Sequence, residues 1–470
     1  MRHVWLISIP LVVSSSLMAD DMTTPEGIPL TPPSYQMLRF DENYSCASNV
    51  VNRTDFIDPI KYMPLRADNP SWYLTVGGEV RERYEGYYND NFGLGGLGPD
   101  SHLLQRVTLL TDWHLGERVR FFVSGISGII EGEPPPASPV QQDPIDLEYA
   151  LLEFVPYLTD DERLTLRAGR FGMSFGSGRL VSTRAAPNAP NIPFRFDGLE
   201  LLYTRPFWEA TAFLTQPVQD SGSINAEDHA TTFWGLYVTH WFDAPHTLGL
   251  DFYYLGIFNK DASYVSGVAD ETRHSLGARE FGNRDNWDWN AEEVLQVGSF
   301  GSQSILAWTA SLDTGYTFQA ALKPRLGINA DVASGDSHRN GGTQGTFDTL
   351  YFMSGYFNDA SLFRPQNIID VHPMLGLQLT RTISMNGGGD VFWRYSRNDA
   401  IYNPPGFIAV PALETASSYL GMAADINFTW QIQRHLSLGA SYVHFFTGSY
   451  VHQAGGSDID FVSTTLSFLF

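Results

Sequence analysis

Tyr73-Leu74-Thr75-Val76-Gly77-Gly78-Glu79-Val80-Arg81-Glu82-Arg83-Tyr84-Glu85 has a period of two. Leu74, Val76, Gly78, Val80 and Tyr84 share one face, with Glu82 as the exception, while Thr75, Gly77, Glu79, Arg81, Arg83 and Glu85 share the other. Successive side chains of a β-strand point to opposite faces, so this is a strand with one greasy side and one charged side. The rhythm returns late in the chain. Leu420, Met422, Ala424, Ile426, Phe428 and Trp430 alternate with Gly421, Ala423, Asp425, Asn427, Thr429 and Gln431. Leu306, Trp308, Ala310 and Leu312 alternate with Ala307, Thr309, Ser311 and Asp313. A soluble sandwich alternates too, with its apolar face inward. These runs, however, have the length of a tilted membrane strand, about 9–11 residues, where an ordinary strand has about 5–6. Their polar faces hold Gly, Ser, Thr, Asn and charges of both signs, which suits a wet lumen.

The connections test this reading independently, because bacterial barrels have short periplasmic turns and long outer loops. Long segments such as Gly86 to Ser101, Glu131 to Pro144, Gly172 to Phe196, Phe258 to Asp270, Ala333 to Pro365 and Asn398 to Thr415 interleave with short ones such as His114 to Glu117, Pro206-Phe207 and Gln431 to Arg434. Ser299 to Gln303 falls where an outer loop is due and is small. The fold class is therefore all-β: a transmembrane antiparallel β-barrel of about eighteen strands, with sixteen as the alternative. The run 271–281 has the weakest pattern of these strands. It is kept because dropping it would put the long segment after Val332 on the periplasmic side. Val462, Thr464, Leu466, Phe468 and Phe470 form one face of the last strand. A strand that ends the chain leaves an edge open unless it pairs with the first one.

Met1-Arg2-His3, the apolar run Val4 to Val13 and the small residues up to Ala19 have the order of a secretory leader, too short to span as a helix. The chain thus divides into a signal peptide at 1–19, an N-terminal periplasmic extension at 20–69 and an outer-membrane β-barrel at 70–470. Pro25, Pro29, Pro32 and Pro33 favour an extended course for the middle part. After the leader no apolar run is long enough for a transmembrane helix, so strands must do the spanning. Cys46 is the single cysteine and forms no internal bridge. A formal charge of −23 argues against nucleic acid as a partner. The aromatic fraction of 14% fits a barrel girdle or a carbohydrate-binding β-protein.

By parity, Arg81, Arg83, Arg106, Arg120, Arg167, Arg325 and Arg394 face inward, as do Glu79, Glu85, Asp146, Glu148, Asp331, Asp390 and Asp425. Arg170, Arg179, Arg184 and Arg195 flank or lie in the third long outer loop, which is placed to fold into the lumen. Forked guanidinium donors facing a narrow lumen can replace part of an anion's hydration, and carboxylates among them keep binding weak. The bland reading is that these charges pair between neighbouring strands and stiffen the wall. Glu79, Arg81 and Arg83 have priority because one clear strand presents all three. Gly172-Met173-Ser174-Phe175-Gly176 matches G-x-S-x-G, but no helical period follows it, as a nucleophile elbow requires. No metal or cofactor signature is found.

Several segments resemble the alginate-export outer-membrane family. They are Tyr73 to Glu85, then Leu166-Arg167-Ala168-Gly169-Arg170-Phe171 running through Gly176-Ser177-Gly178-Arg179-Leu180-Val181 to Arg195-Phe196-Asp197-Gly198, and Ala333-Ser334-Gly335-Asp336 with Gly345-Thr346-Phe347-Asp348. The resemblance extends from Tyr35 to Phe470. It implies an eighteen-stranded barrel in the bacterial outer membrane and export of an anionic polysaccharide through a constriction of arginines with some acidic residues. The strongly acidic balance departs from the local positive charge such a channel needs, although loop carboxylates can carry the excess. The expected function is passive export of an alginate-like polysaccharide or related polar solute, without catalysis. The alternatives are a general or small-solute uptake porin and a barrel lipid hydrolase. Expected partners are the solute, outer-membrane lipid and periplasmic export components.

Overall fold

The computed structural model describes residues 32–96, 99–133, 138–220, 224–244, 246–339 and 341–470. The leader at 1–19 and the start of the extension lie outside them. Eighteen antiparallel strands close into one barrel. They are β1 (Trp72–Tyr88), β2 (Asp100–Leu115), β3 (Val119–Glu131), β4 (Asp143–Leu158), β5 (Arg163–Phe171), β6 (Phe196–Arg205), β7 (Trp208–Pro217), β8 (Thr231–Trp241), β9 (Leu248–Tyr264), β10 (Gly267–Arg284), β11 (Trp287–Phe300), β12 (Gln303–Thr317), β13 (Arg325–Ala333), β14 (Ile368–Gln378), β15 (Ile383–Arg394), β16 (Tyr419–Gln433), β17 (Leu436–Thr447) and β18 (Ile459–Leu469). Each pairs with its neighbours in sequence. The ring closes where Glu79 to Tyr88 of β1 meet Leu469 to Asp460 of β18. Gly78 and Phe470 exchange backbone hydrogen bonds of 2.8 and 3.0 Å at the seam.

The barrel is inside out relative to a soluble protein. Val80, Tyr84, Leu109, Leu199, Leu276 and Leu306 are exposed on its outer wall, while Arg81, Arg83, Arg179, Arg195, Arg273 and Arg394 are among the largest fully buried side chains. In water such a surface would aggregate; in lipid it is solvated.

The short turns, the start of β1 and the end of β18 lie on one side, and most of the long loops on the other. One outer connection differs from the sequence expectation. Phe258 to Asp270 is not a loop: β9 and β10 continue past it and turn at Val265-Ser266. Ser299 to Gln303, small in the sequence, closes in a two-residue turn at Gly301-Ser302. Above the bilayer both faces of a hairpin meet water, so pairing persists where the apolar rhythm is lost.

Residues 32–71 wrap the seam at the end of the barrel that carries the short turns. Arg39 donates to the carbonyls of Gly78 (3.0 Å) and Phe470 (3.1 Å), and Asp55 and Asp58 accept from Arg434. Phe40 is buried within the barrel wall against Phe122 and Tyr149. Burial pushes the Lys61 ammonium down to about 7, and its Nζ lies over the Tyr44 ring.

Candidate functional site: the charged lumen

The pleat of β1 aims Glu79, Arg81 and Arg83 inward, and β2 to β5 add Arg106, Arg120, Glu148, Arg167 and Arg170 on the same side of the ring. Most of these arginines are already held by carboxylates. Arg106 meets Glu79 (2.9 Å), Arg83 meets Glu85 and Asp359 (3.2 Å), and Arg120 meets Asp112 (2.8 Å). Arg167 bridges Glu153 and Glu200 at 2.7 and 2.6 Å, and Arg170 meets Asp197 (2.7 Å). Arg195 pairs with Asp146 and Asp220. The bland reading therefore holds for these residues: ion pairs between adjacent strands and loops stiffen the wall. Glu148 takes its hydrogen bond from the Ser124 hydroxyl.

Three arginines stand apart, each without a carboxylate at ion-pair distance among the described residues. Arg81 donates to the carbonyls of Pro187 (3.1 Å) and Ala189 (2.8 Å) and to Asn191 Oδ1 (2.7 Å). Arg394 donates to the carbonyls of Ser417, Arg397, Leu413 and Ala416. The Arg184 backbone N–H donates to Ser182 Oγ (3.3 Å), but its guanidinium has no hydrogen-bond partner among the described residues; the guanidinium carbon lies 3.3 Å from the Phe194 ring centroid. Its φ of 55° is uncommon for a residue with a side chain.

The loop 172–195 bends inward because the wall offers partners there. It crosses the lumen, and Arg179 on it reaches Asp331 of β13, Tyr356 and Thr309. Its segment at Leu180 to Ser182 pairs in parallel with Tyr351 of the loop 334–367. That second loop packs apolar residues into the outer mouth: Phe363 stacks on Phe92 and meets Phe392 and Phe445 edge-on. The lumen is thus charged along its walls but capped by an aromatic cluster, which the parity argument alone did not anticipate.

On the other side of the ring stand Arg325, Asp331, Asp390, Arg394 and Asp425. Arg325 pairs with Asp288 and Asp313. Asp425 accepts from His372 (3.1 Å). Asp390 is fully buried, and neither of its carboxylate oxygens has a hydrogen-bond partner among the described residues. Asp370 on neighbouring β14 is in the same position. The parity reading passed over Asp370, His372, Asp251, Glu271, Arg273 and Arg279, all inward-facing. The signal was present in β10, where Glu271, Arg273, Ser275 and Arg279 share parity, but it lay in the run with the fewest outward apolar residues.

Ser174 lies in the crossing loop without helical structure after it, and its Oγ has no hydrogen-bond partner among the described residues, where a nucleophile elbow would pair it with a base. Among the described residues no group of three His, Cys, Asp or Glu side chains is placed to hold a metal ion.

The family model described as alginate export matches residues 72–464. No curated protein matches. Solved structures with the same fold include a BenF-like porin from Pseudomonas fluorescens Pf-5, at TM-score 0.58 and 10% identity, covering 84% of this chain and 98% of that one. OccK2 (OpdF) of Pseudomonas aeruginosa in complex with glucuronate aligns at TM-score 0.56 and 9% identity, covering 84% and 98%. OccAB1 of Acinetobacter baumannii aligns at TM-score 0.56 and 12% identity, covering 87% and 98%.

Proposed function

The chain belongs to the alginate export family, an outer-membrane channel with a porin-like barrel, and from that premise we propose that it passes an anionic polysaccharide outward without energy input. The observation that carries the reading is Arg184: a buried cation on the loop that crosses the lumen, with no carboxylate partner among the described residues. A buried unpaired charge is costly, so such a group is a natural place for a passing carboxylate to pair. Arg81 of β1, which donates to Pro187, Ala189 and Asn191 of the same loop, adds a second guanidinium without a carboxylate at ion-pair distance among the described residues. The paired charges on the wall hold the shape, and Asp390 opposite, whose oxygens have no hydrogen-bond partner among the described residues, keeps an anion from lodging.

Uptake of small acidic solutes is the second reading, favoured by the glucuronate complex of the structural neighbour OccK2. Efflux from proteoliposomes separates the two. A labelled oligouronate is expected to leave faster than a neutral dextran of equal length. If glucuronate monomer passes and the oligomer does not, the polysaccharide reading fails and the uptake reading takes its place.

A further inference from the structure

Strands β13 and β14 stop short at the extracellular end, at Ala333 and Ile368, while β12 and β15 flank them. The outer wall is notched there, and the rings of Trp308 from β12 and Tyr395, one residue past β15, meet across the notch at 5.9 Å and 90°. A cavity of about 430 Å³ fills the notch, floored by Leu306, Trp308 and Tyr395 and lipped by Asp336, Ser337 and His338 with a run of glycine backbone. An aromatic girdle alone would explain two outward rings at this height. It would not explain Asp336. That carboxylate is 3% exposed, and its Oδ2 has no hydrogen-bond partner among the described residues. A buried acceptor left without a donor implies that something else supplies one. Trp308 and Tyr395 line the cleft, and neither the indole N–H nor the hydroxyl has a hydrogen-bond partner among the described residues.

An apolar ring floor, a carboxylate acceptor and free N–H and O–H groups at the lip are the chemistry that binds a sugar: ring faces cover its C–H side, and the polar groups take its hydroxyls. The cleft is continuous with the lipid-facing wall at its extracellular end. Arg339 follows the lining residue His338 and Arg397 lies two residues past Tyr395; Arg397 is exposed, and Arg339, one-third exposed, donates to the carbonyls of Asn398 and Ala412 with Glu414 at 3.9 Å. We propose that this notch binds the saccharide headgroup of an outer-leaflet glycolipid, a phosphorylated acylated disaccharide. Its sugar hydroxyls would meet Asp336, its first acyl chain would lie over Leu306 and Trp308, and its phosphates would face Arg339 and Arg397.

Native mass spectrometry of the detergent-purified barrel tests this, with lipid A, phosphatidylethanolamine or the deacylated lipid A saccharide added. A one-to-one lipid A adduct is expected. It should be lost in Trp308→Ala plus Tyr395→Ala and weakened in Asp336→Asn. Trp308→Leu, which keeps the apolar floor without a ring face, should also weaken it. Heat-modified gel mobility checks that each variant is folded. Equal retention of phosphatidylethanolamine would make the notch an ordinary lipid contact and overturn the proposal. Retention of the deacylated saccharide as strongly as lipid A would overturn the glycolipid source and assign the cleft to free polymer.

Discussion

Replacing Arg184 by Glu is expected to turn an anion-preferring conductance into a cation-preferring one. At about 8 Å and an effective dielectric of about 20, one unit charge shifts the energy of a passing carboxylate by roughly 2 kcal/mol, or roughly 30-fold in local occupancy. The Glu variant removes one positive charge and adds one negative, so the shift doubles. Arg184→Gln should fall between, and Arg184→Lys should keep the wild-type sign. The wall arginines give a sharp contrast. Arg167 is already balanced by Glu153 and Glu200, so Arg167→Gln should change selectivity little while leaving two carboxylates less well held. Reversal potentials under a salt gradient in planar bilayers check all four variants. If Arg184→Glu leaves the reversal potential where it was, the uncompensated cation is not what selects the solute.

Arg179→Ala is expected to raise single-channel conductance several-fold and make it noisy. Arg179 is the charged contact by which the crossing loop holds the far wall, by way of Asp331, Tyr356 and Thr309, beside the Ser177 hydroxyl that donates to Glu292 of β11. Removing one partner of a buried ion pair costs roughly 3–5 kcal/mol because the other charge is left alone. The loop and its parallel pairing at Tyr351 should then detach from β13. Asp331→Asn should have the same effect, and Arg179→Met with Asp331→Leu should recover a quieter channel by refilling the space with apolar side chains. Single-channel recording gives the outcome directly. Unchanged conductance in Arg179→Ala would mean that the aromatic cap around Phe363 alone sets the opening.

Much of the barrel was legible because lipid on one side and water on the other force a two-residue rhythm, and β1 shows it from Leu74 to Glu85. Parity also gave the facing of Arg81, Arg106, Arg167, Arg325 and Asp390. The rule failed where that contrast ends. Asn259 to Ser263 carry polar residues on both faces and contain a bulge, so they read as a loop although β9 runs through them. Which arginines are neutralised was legible only in part: Arg106, Arg120 and Arg167 pair with neighbouring strands as the bland reading has it, but other partners come from elsewhere. The partners of Arg83, Arg195 and Arg81 include Asp359, Asp220 and the carbonyls near Pro187, which come from loops with no periodicity. The aromatic cap has the same origin: Phe363 and Tyr351 look like ordinary loop residues until two loops meet inside the barrel.

The central claim is that a polyanion can thread this lumen. The most direct measurement is current through a single purified channel with a polyuronate added on the periplasmic side. The account predicts brief, voltage-dependent interruptions whose frequency rises with polymer concentration and which a neutral polymer of the same length does not cause. A cation-selective current that polyuronate and neutral polymer interrupt alike, or not at all, would contradict it.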